Sequence, residues 1–169
     1  MSELTQVLLK RIIDYDPNTG EFQWKERDDV PPKVNTRHAG KVAGGAQKRN
    51  HTTYCGICIS QKQYLAHRLA WLYMTGDWPS SEIDHRDCNG LNNRWNNLRL
   101  ATPSQNGANK RARNGLKGVS FVKRISRFHA KIKFHGLTRH IGYFDTAEEA
   151  HAAYMAAAKD LQGEYARAA

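Results

Sequence analysis

The chain has 169 residues, of which 40% are hydrophobic, and a net charge of +10. This length allows one domain or two small ones, and the charge favours an anionic partner, with nucleic acid first and an anionic membrane second. No apolar run approaches the roughly 18 residues that a spanning helix needs, and the first residues lack a signal-peptide pattern, so we expect a cytoplasmic protein with no membrane partner. Three cysteines are too few for a disulfide framework.

The first sixty residues carry signals for one helix and several short strands. Apolar residues at helical spacing predict a helix over 3–13. A turn signal at Asp16–Gly20 precedes an alternating stretch, 21–24, that predicts a short strand. Residues 26–40 are charged and contain two adjacent prolines, which favours an exposed loop. The stretch 41–59 predicts a pair of strands.

The middle of the chain predicts a helix followed by a unit of strand, loop, strand and helix. Residues 65–73 place their apolar side chains on one helical face, and Gly76 ends that helix. Residues 82–85 predict a strand that runs into a polar loop, and residues 97–101 predict a returning strand. Thr102 and the following proline are typical of a helix start.

After a basic connector at 113–118, the chain predicts a small domain of three antiparallel strands packed on one helix. The three strands are predicted at 119–122, 128–134 and 138–144. The helix is predicted from the capping box of Thr146 and Glu149, and Gly163 ends it.

Four polar residues form the candidate site: Asp84 and His85 side by side, then Asn97 and Asn106. Phosphodiester hydrolysis needs a water nucleophile, a base for its proton and positive charge at the phosphate. A carboxylate and an amide oxygen can hold a hard divalent ion, and a neutral histidine is a suitable base. Asp84 and His85 serve one site only if the chain turns at His85, because adjacent strand residues point to opposite faces. The alternative is that Asp84 caps a loop and the asparagines satisfy turn backbone.

The motifs around these residues resemble an HNH endonuclease of the type found in phage homing enzymes. They are Ile83-Asp84-His85, the Asn89-Gly90 turn, Asn92-Asn93-Arg94, Asn96-Asn97-Leu98-Arg99 and Ala101-Thr102-Pro103-Ser104-Gln105-Asn106. The resemblance implies a ββα-metal motif at about residues 80–112, in which Asp84 and Asn106 bind one divalent ion, Mg²⁺ or Mn²⁺. It also implies that His85 is the general base and that Asn97 braces the loop and the histidine. We expect no small-molecule cofactor.

The residues after the connector resemble an AP2 DNA-binding domain. The resemblance rests on Lys117-Gly118-Val119, Ala130-Lys131-Ile132, the run from Ile141 to Ala150, and Ala153-Tyr154. It implies a three-stranded sheet that lies in the major groove of DNA. The DNA-facing positions of that family correspond here to Lys117, Ser120, Arg124, Lys131, Lys133 and His140. The family often has Arg or Trp at several of these positions, so Ser120 and His140 depart from its pattern.

The charge distribution agrees with nucleic acid as the partner. From Cys88 to Phe144 there are 12 Lys and Arg residues and no Asp or Glu. On the strand at 128–134, the basic residues alternate with apolar ones, which gives a basic stripe suited to phosphates and base edges. The helix that begins at residue 103 is predicted to carry three more cations on its outer side: Lys110, Arg111 and Arg113. The alternative is that these charges only face solvent.

The sequence predicts an α+β protein with a nuclease domain over residues 1–112 and a DNA-binding domain over residues 113–169. The predicted function is metal-dependent hydrolysis of double-stranded DNA by a monomer or weak dimer, and one active centre predicts a nick in one strand. Two alternatives stay open: a DNA-binding protein without activity, and a nuclease for RNA or branched DNA. Cys55 and Cys58 have CxxC spacing, which is read either as a zinc site or as two strand cysteines.

Overall fold

The computed structural model describes residues 4–49, 52–110 and 116–167. The chain folds as two compact units, Met1–Leu100 and Ala101–Ala169. The domain boundary expected from the sequence, after residue 112, lies outside the described residues and stays a prediction. Both units mix helices and strands, as predicted for an α+β protein. None of the helices within the described ranges is both long and apolar enough to cross a membrane.

The first unit begins with a helix and a hairpin. Helix α1 spans Gln6–Ile12, and the side chain of Thr5 caps it by accepting from the amide of Leu8 over 3.3 Å. Strand β1, Ile13–Tyr15, follows without a break and pairs antiparallel with β2, Phe22–Trp24. The sequence signal for helix 3–13 therefore extends too far, because pairing with β2 takes Ile13 into a strand.

The segment predicted as an exposed loop, 26–40, contains a short helix, so that prediction was wrong. Helix α2 spans Pro32–His38 and starts with a proline, whose missing N–H is not needed in the first turn. The side chain of Asn35 ties this helix to the end of the hairpin, since it accepts from the amide of Arg27 over 3.1 Å and donates to the carbonyl of Arg27 over 2.6 Å. This contact joins residues eight positions apart.

A three-stranded antiparallel sheet follows, with the order β3-β4-β5. Its strands span Gly45–Arg49, Thr52–Ile59 and Lys62–Leu65. The first two correspond to the predicted pair, whereas β5 was missed. The turn between β4 and β5 consists of Ser60 and Gln61, both at positive φ (49° and 66°). It lacks the Asn-Gly or Asp-Gly signal by which such turns are recognised.

The candidate site lies on the next elements of the first unit. Helix α3 spans Ala66–Thr75 and ends at Gly76 with φ 92°, as predicted. Strands β6, Glu82–His85, and β7, Leu98–Ala101, form a two-stranded sheet.

The core of the first unit gathers apolar side chains from all parts of residues 4–98. Its fully buried large members are Leu9, Ile13, Phe22, Ile57, Leu69 and Leu72. Four half-buried tryptophans pack against it: Trp24, Trp71, Trp78 and Trp95. Burial of this apolar surface is the main source of stability for the unit.

The second unit contains the predicted three-stranded antiparallel sheet packed on one helix. Helix α4, Pro103–Asn109, comes first, and the sheet has the order β10-β9-β8. Its strands span Val119–Val122, Arg127–Phe134 and Leu137–Phe144, and helix α5 spans Ala147–Gln162. The predicted capping box of Thr146 and Glu149 starts α5.

A close contact between Gly118 and Tyr154 brings α5 onto the sheet. Tyr154 is buried beside Ile132 and Ala158. Gly118 has φ 75°, and a Cβ atom there would lie 2.0 Å from the Tyr154 ring. Only glycine satisfies both the backbone conformation and the lack of space at this position.

Candidate active site

The candidate site begins where strand β6 ends. Asp84 and His85 are its last two residues, and both are buried, with relative exposures of 4% and 6%. The chain turns directly afterwards, since the amide of Cys88 donates to the carbonyl of His85 over 2.9 Å. The turn that two adjacent strand residues need in order to serve one site is therefore present next to His85.

Asp84 forms a buried ion pair with Arg99 of strand β7. The Nε and Nη2 atoms of Arg99 each lie 2.9 Å from Oδ2 of Asp84, and both side chains are more than nine-tenths buried. A buried carboxylate is costly unless it is paired and hydrogen-bonded, so the guanidinium holds the Asp84 charge inside the protein and fixes its rotamer. In the sequence, Arg99 belongs to the motif Asn96-Asn97-Leu98-Arg99, and no role was predicted for it.

The imidazole of His85 is oriented by Asn93. Nε2 of His85 lies 3.3 Å from Oδ1 of Asn93, and Nδ2 of Asn93 donates to the carbonyl of Leu91 over 3.2 Å. The contact with Leu91 identifies the amide nitrogen, so the amide oxygen faces the ring, and an amide oxygen only accepts. Nε2 of a neutral His85 therefore carries the proton, and Nδ1 does not.

The surroundings of His85 keep the ring neutral. Burial lowers the pKa of His85 below its ordinary value, while the hydrogen bond with Asn93 and the carboxylates of Asp87 and Asp84 act in the opposite direction. A neutral imidazole accepts a proton from water, whereas an imidazolium does not. The direction of this pKa shift thus suits a general base at neutral pH.

A second buried histidine, His67 on the first turn of α3, packs against His85. The two rings meet edge to face with centroids 5.0 Å apart, and the Tyr54 ring contacts both, at 5.4 Å and 6.0 Å. His67 is 6% exposed, and its Nδ1 has no hydrogen-bond partner within the described ranges. Burial is the main cause that lowers the pKa of His67 to about 3, and electrostatic interactions with His85, Arg68 and Arg49 lower it further.

Replacing His67 with phenylalanine should make the protein less sensitive to acid. Between the ordinary pKa of 6.5 and the folded pKa of about 3, the unfolded chain binds more protons than the folded one. The wild-type protein therefore loses stability as the pH falls through this range. Phenylalanine takes up no proton, so the free energy of unfolding in urea should fall less in H67F between about pH 7 and pH 5. The exposed His38→Phe variant is the control, and an H67F variant as acid-sensitive as the wild type would contradict the prediction.

Asn97 holds the loop between the two strands in shape. Its Oδ1 accepts from the amide of Asp87 over 3.1 Å, and its Nδ2 donates to the Asp87 carboxylate over 3.0 Å and to the carbonyl of Asn92 over 2.8 Å. The backbone carbonyl of Asn97 also accepts from the amide of Arg86 over 2.9 Å. These contacts close a polar loop whose backbone groups need partners.

Asn106 belongs to helix α4 of the second unit. The side chains of Thr102 and Gln105 form a capping box that starts this helix, and Asn106 is half-buried. The helix ends at Asn109, so Lys110 is the exposed C-cap. The expectation that Lys110 lies on the outer side of the helix was therefore wrong. Arg111 and Arg113, the other two cations predicted for this helix, lie outside the described residues.

The donor chemistry of the candidate residues fits a hard divalent ion. Such ions prefer carboxylate and amide oxygens, and Mg²⁺ is commonly held by one or two carboxylates together with water and substrate phosphates. Asp84 offers the carboxylate, although its Oδ2 is engaged by Arg99. In residues 4–49, 52–110 and 116–167, no three His, Cys, Asp or Glu side chains gather in a metal-binding group.

The basic residues predicted on the second sheet lie on one face of it. Residues paired across antiparallel strands share a face, and His140 pairs with Lys131 while Ser120 pairs with His129. Ala130 and Ile132, between these positions, are buried toward α5. The outer face therefore carries Ser120, His129, Lys131, Lys133, His140 and Tyr143.

Two other predicted DNA contacts, Arg124 and Lys117, are not part of the outer face of the sheet strands. Arg124 is exposed in a short 3₁₀ helix between β8 and β9. Lys117 is half-buried, and its ammonium group donates to the carbonyl of Ala108. Lys117 thus has a contact inside the second unit that its position in the sequence does not reveal.

Sequence reasoning missed a cluster of three rings on the outer face. Nε2 of His129 and Nδ1 of His140 are 2.7 Å apart, and the Tyr143 ring lies 5.0 Å from the first ring and 4.9 Å from the second. His129 was read only as part of the basic stripe. The pairing of Tyr143 with His129 depends on the register of β10, which contains an irregularity between His140 and Gly142.

Cys55 and Cys58 lie in strand β4. Cys55 is half-buried and Cys58 is exposed. Residues three apart in a strand point to opposite faces, so the CxxC spacing does not bring the two sulfur atoms together here. The interpretation as two strand cysteines is the one that agrees with the fold.

Comparisons with known proteins bear on the segment that contains the site. Residues 64–108 match the family model of an HNH endonuclease. Over 102 residues the chain is 39% identical to an uncharacterized HNH endonuclease of Acanthamoeba polyphaga mimivirus. The aligned segment covers 59% of this chain and 54% of that protein. The chain thus spans about half the length of the curated relative that it matches. No solved structure matches it.

Both matches name the same kind of enzyme, an HNH endonuclease. Asp84, His85, Asn93 and Arg99 all lie within the matched segment. The relative is named as an HNH endonuclease. Residues 64–108 of this chain are similar to the HNH endonucleases, and this similarity supports a nuclease.

Proposed function

We propose that this protein is a metal-dependent HNH endonuclease that hydrolyses phosphodiester bonds in double-stranded DNA, in the manner of homing-type enzymes. The observation that carries the proposal is the buried pair of Asp84 and a neutral His85 inside a segment similar to HNH endonucleases. One residue brings a carboxylate for a cation, and its neighbour brings a base for water.

In the proposed reaction, Nδ1 of His85 takes a proton from a water molecule. The water oxygen forms a bond to phosphorus as the bond to the 3′ oxygen breaks on the opposite side, and the departing oxygen takes up a proton from solvent. Asp84 and Asn106 would hold a divalent ion, Mg²⁺ or Mn²⁺, and that ion would supply positive charge to stabilise the transition state. Arg99 keeps the Asp84 carboxylate in one orientation throughout.

Each chain brings one His85, so a monomer should cut one strand per binding event. A double-strand break would require two copies or two visits to the same site. We therefore propose a nicking enzyme that acts as a monomer or a weak dimer.

The outer face of the second sheet is the proposed DNA-binding surface, in line with the resemblance to AP2 domains. Lys131, Lys133 and His140 are exposed on it. No Asp or Glu occurs between Cys88 and Phe144, so no carboxylate of that stretch opposes a phosphate. Basic side chains on a sheet can contact phosphates and reach base edges in the major groove.

Replacing Lys131 and Lys133 together by alanine should weaken DNA binding and flatten its salt dependence. Each lost phosphate contact lowers the slope of log K against log salt by about 0.9 for duplex DNA, so the double variant should lose about two units of slope. Filter binding of a duplex in a chelator, over a series of salt concentrations, measures this. The control is Lys159→Ala on α5, an exposed lysine away from the outer face. Equal slopes for the double variant and the control would contradict the assignment of the surface.

Two other functions are compatible with parts of the chain. A DNA-binding protein without activity would keep the basic sheet and lose the chemistry at His85. A nuclease for RNA or branched DNA would keep the chemistry and use the sheet to recognise shape. Competition between duplex DNA, RNA and a four-way junction separates these cases, since duplex DNA should compete best under our proposal.

Conversion of supercoiled plasmid to the open circular form tests the proposal. We expect conversion in Mg²⁺ or Mn²⁺, no conversion in a chelator, and little linear product at early times. Conversion that proceeds equally in the chelator would contradict metal dependence. A protein that binds the plasmid and leaves it intact with either ion would favour the inactive alternative.

A further inference from the structure

A short path of hydrogen bonds joins the N-terminal hairpin to His85. The hydroxyl of Tyr15, the last residue of β1, donates to the backbone carbonyl of Asn93 over 2.7 Å, and this bond is buried. The side chain of the same Asn93 faces the His85 ring, with its Oδ1 3.3 Å from Nε2. Asn93 is only 2% exposed, so both of its contacts lie inside the first unit.

The turn of the hairpin docks on the same loop through backbone contacts. The amide of Trp95 donates to the carbonyl of Pro17 over 2.9 Å. Gly20 has φ 78°, and a Cβ atom there would lie 2.4 Å from the nitrogen of Arg94 and from the carbonyl carbon of Asn93. No side chain fits between the two backbones, so the hairpin turn packs directly against the backbone of Asn93 and Arg94 and fixes its position.

The hairpin turn is itself held rigid. Gly20 donates from its amide to the carbonyl of Asp16 over 2.8 Å, and the Asp16 carboxylate accepts from the amide of Asn18, also over 2.8 Å. An aspartate that bonds to the amide two residues on is the usual way to stabilise such a turn. The surface that supports the loop is therefore formed by residues 13–24, which lie outside residues 64–108, the part that matches the family model.

We propose that the hairpin β1–β2 acts as the positioning element of His85 through Asn93, an inference that rests on the proposed role of His85 as general base. Asn93 sets which nitrogen of His85 carries the proton and the plane in which the ring lies, and Tyr15 and Gly20 hold Asn93. A base must present its lone pair to water in a narrow range of directions, so support of this kind contributes directly to rate. Tyr15 and Asn93 are positioning residues in this scheme, since neither reaches the reacting atoms.

The first test removes the Tyr15 hydroxyl alone. Tyr15→Phe should lower kcat for nicking by about tenfold and leave KM for DNA unchanged, because the base is displaced while the binding surface stays intact. The matched control is Tyr73→Phe: its ring packs against Tyr15 with centroids 5.7 Å apart, and its hydroxyl makes only an exposed 3.5 Å contact with Asp14. Equal kcat values for the two variants would overturn the role of the hairpin.

The second test reads the His85 ring directly and needs no activity. In ¹⁵N NMR spectra of the full chain, His85 should show a protonated Nε2 and an unprotonated Nδ1. Asn93→Leu removes the acceptor opposite Nε2 and should give a mixture of tautomers, whereas Tyr73→Phe leaves Asn93 in place and should preserve the wild-type pattern. An unchanged pattern in the leucine variant would overturn the inference.

The two tests keep this inference apart from the proposed function. If His85→Ala abolishes nicking but Tyr15→Phe matches Tyr73→Phe, the hairpin has no positioning role and the nuclease proposal stands. If the wild type cuts no DNA, the proposed function fails, and the NMR spectra still decide whether Asn93 sets the His85 tautomer.

Discussion

His85→Ala is expected to reduce plasmid nicking by about 10²- to 10⁴-fold, the range that a positioned general base contributes. Burial lowers the pKa of His85, and Oδ1 of Asn93 faces Nε2, so Nδ1 is the atom that takes the proton from water in our proposal. Alanine removes the base and leaves Asp84 in place, so metal and DNA should still bind. The measurement is the initial rate of open-circle formation in Mg²⁺, together with filter binding in a chelator.

The control for this variant is His38→Ala, an exposed histidine on helix α2 that packs edge to face on Trp24. It should nick as the wild type does. If His85→Ala and His38→Ala nick at the same rate, His85 has no part in the chemistry. A variant that loses DNA binding along with nicking would point to a structural role for His85 instead.

Arg99→Met should destabilise the protein by about 3–5 kcal/mol, because it leaves the Asp84 carboxylate buried without its guanidinium partner. The exposed side-chain fractions of Arg99 and Asp84 are 7% and 5%, so water does not replace the lost charge. Methionine has a similar length and preserves most of the packing. Urea unfolding followed by far-UV circular dichroism measures the change in the free energy of unfolding.

The second sheet contains a matched control for this substitution. Arg127 contacts Asp145 with the same geometry, since its Nε and Nη2 lie 2.9 Å and 2.8 Å from one carboxylate oxygen, but the side chains are 48% and 74% exposed. Arg127→Met should therefore cost about 1 kcal/mol or less. Similar losses for the two variants would mean that burial of the Asp84 pair adds nothing to its importance.

Local signals explain what the sequence predicts correctly in the second unit. Apolar and basic residues alternate along strand β9, and the structure buries Ala130 and Ile132 while it exposes Lys131 and Lys133. The capping box at Thr146 marks the start of α5. Such patterns lie within a few residues of the element that they define, so the sequence alone is sufficient to recognise them.

Contacts between distant residues explain what the sequence misses in the candidate site. Arg99 is 15 residues from Asp84, and Asn93 contacts Tyr15 across 78 residues. His67 meets His85 across 18 residues, with ring centroids 5.0 Å apart. Many pairs of side chains in the sequence have the chemistry to make such contacts. Which pairs meet depends on how the strands and helices are placed, and the sequence alone does not give that placement. Strand β5 was missed for a different reason, since the two-residue turn that joins it to β4 lacks an Asn-Gly or Asp-Gly signal.

The resemblance to HNH endonucleases is confirmed over residues 64–108. The resemblance of the second unit to AP2 domains, the roles of Asp84, His85, Asn97 and Asn106, and the identity of the ion stay predictions. The three-stranded sheet with its helix is present as expected, so the remaining question for that unit is what its outer face binds.

All four tryptophans of the chain pack against the core of the first unit, and the sequence from residue 101 onward has none. Intrinsic emission from indole therefore reports on the half of the protein that carries His85 and is blind to the half that carries the basic sheet. Thermal unfolding followed in parallel by tryptophan emission and by far-UV ellipticity would show whether the two units unfold in a single cooperative step. This measurement needs no dye or label.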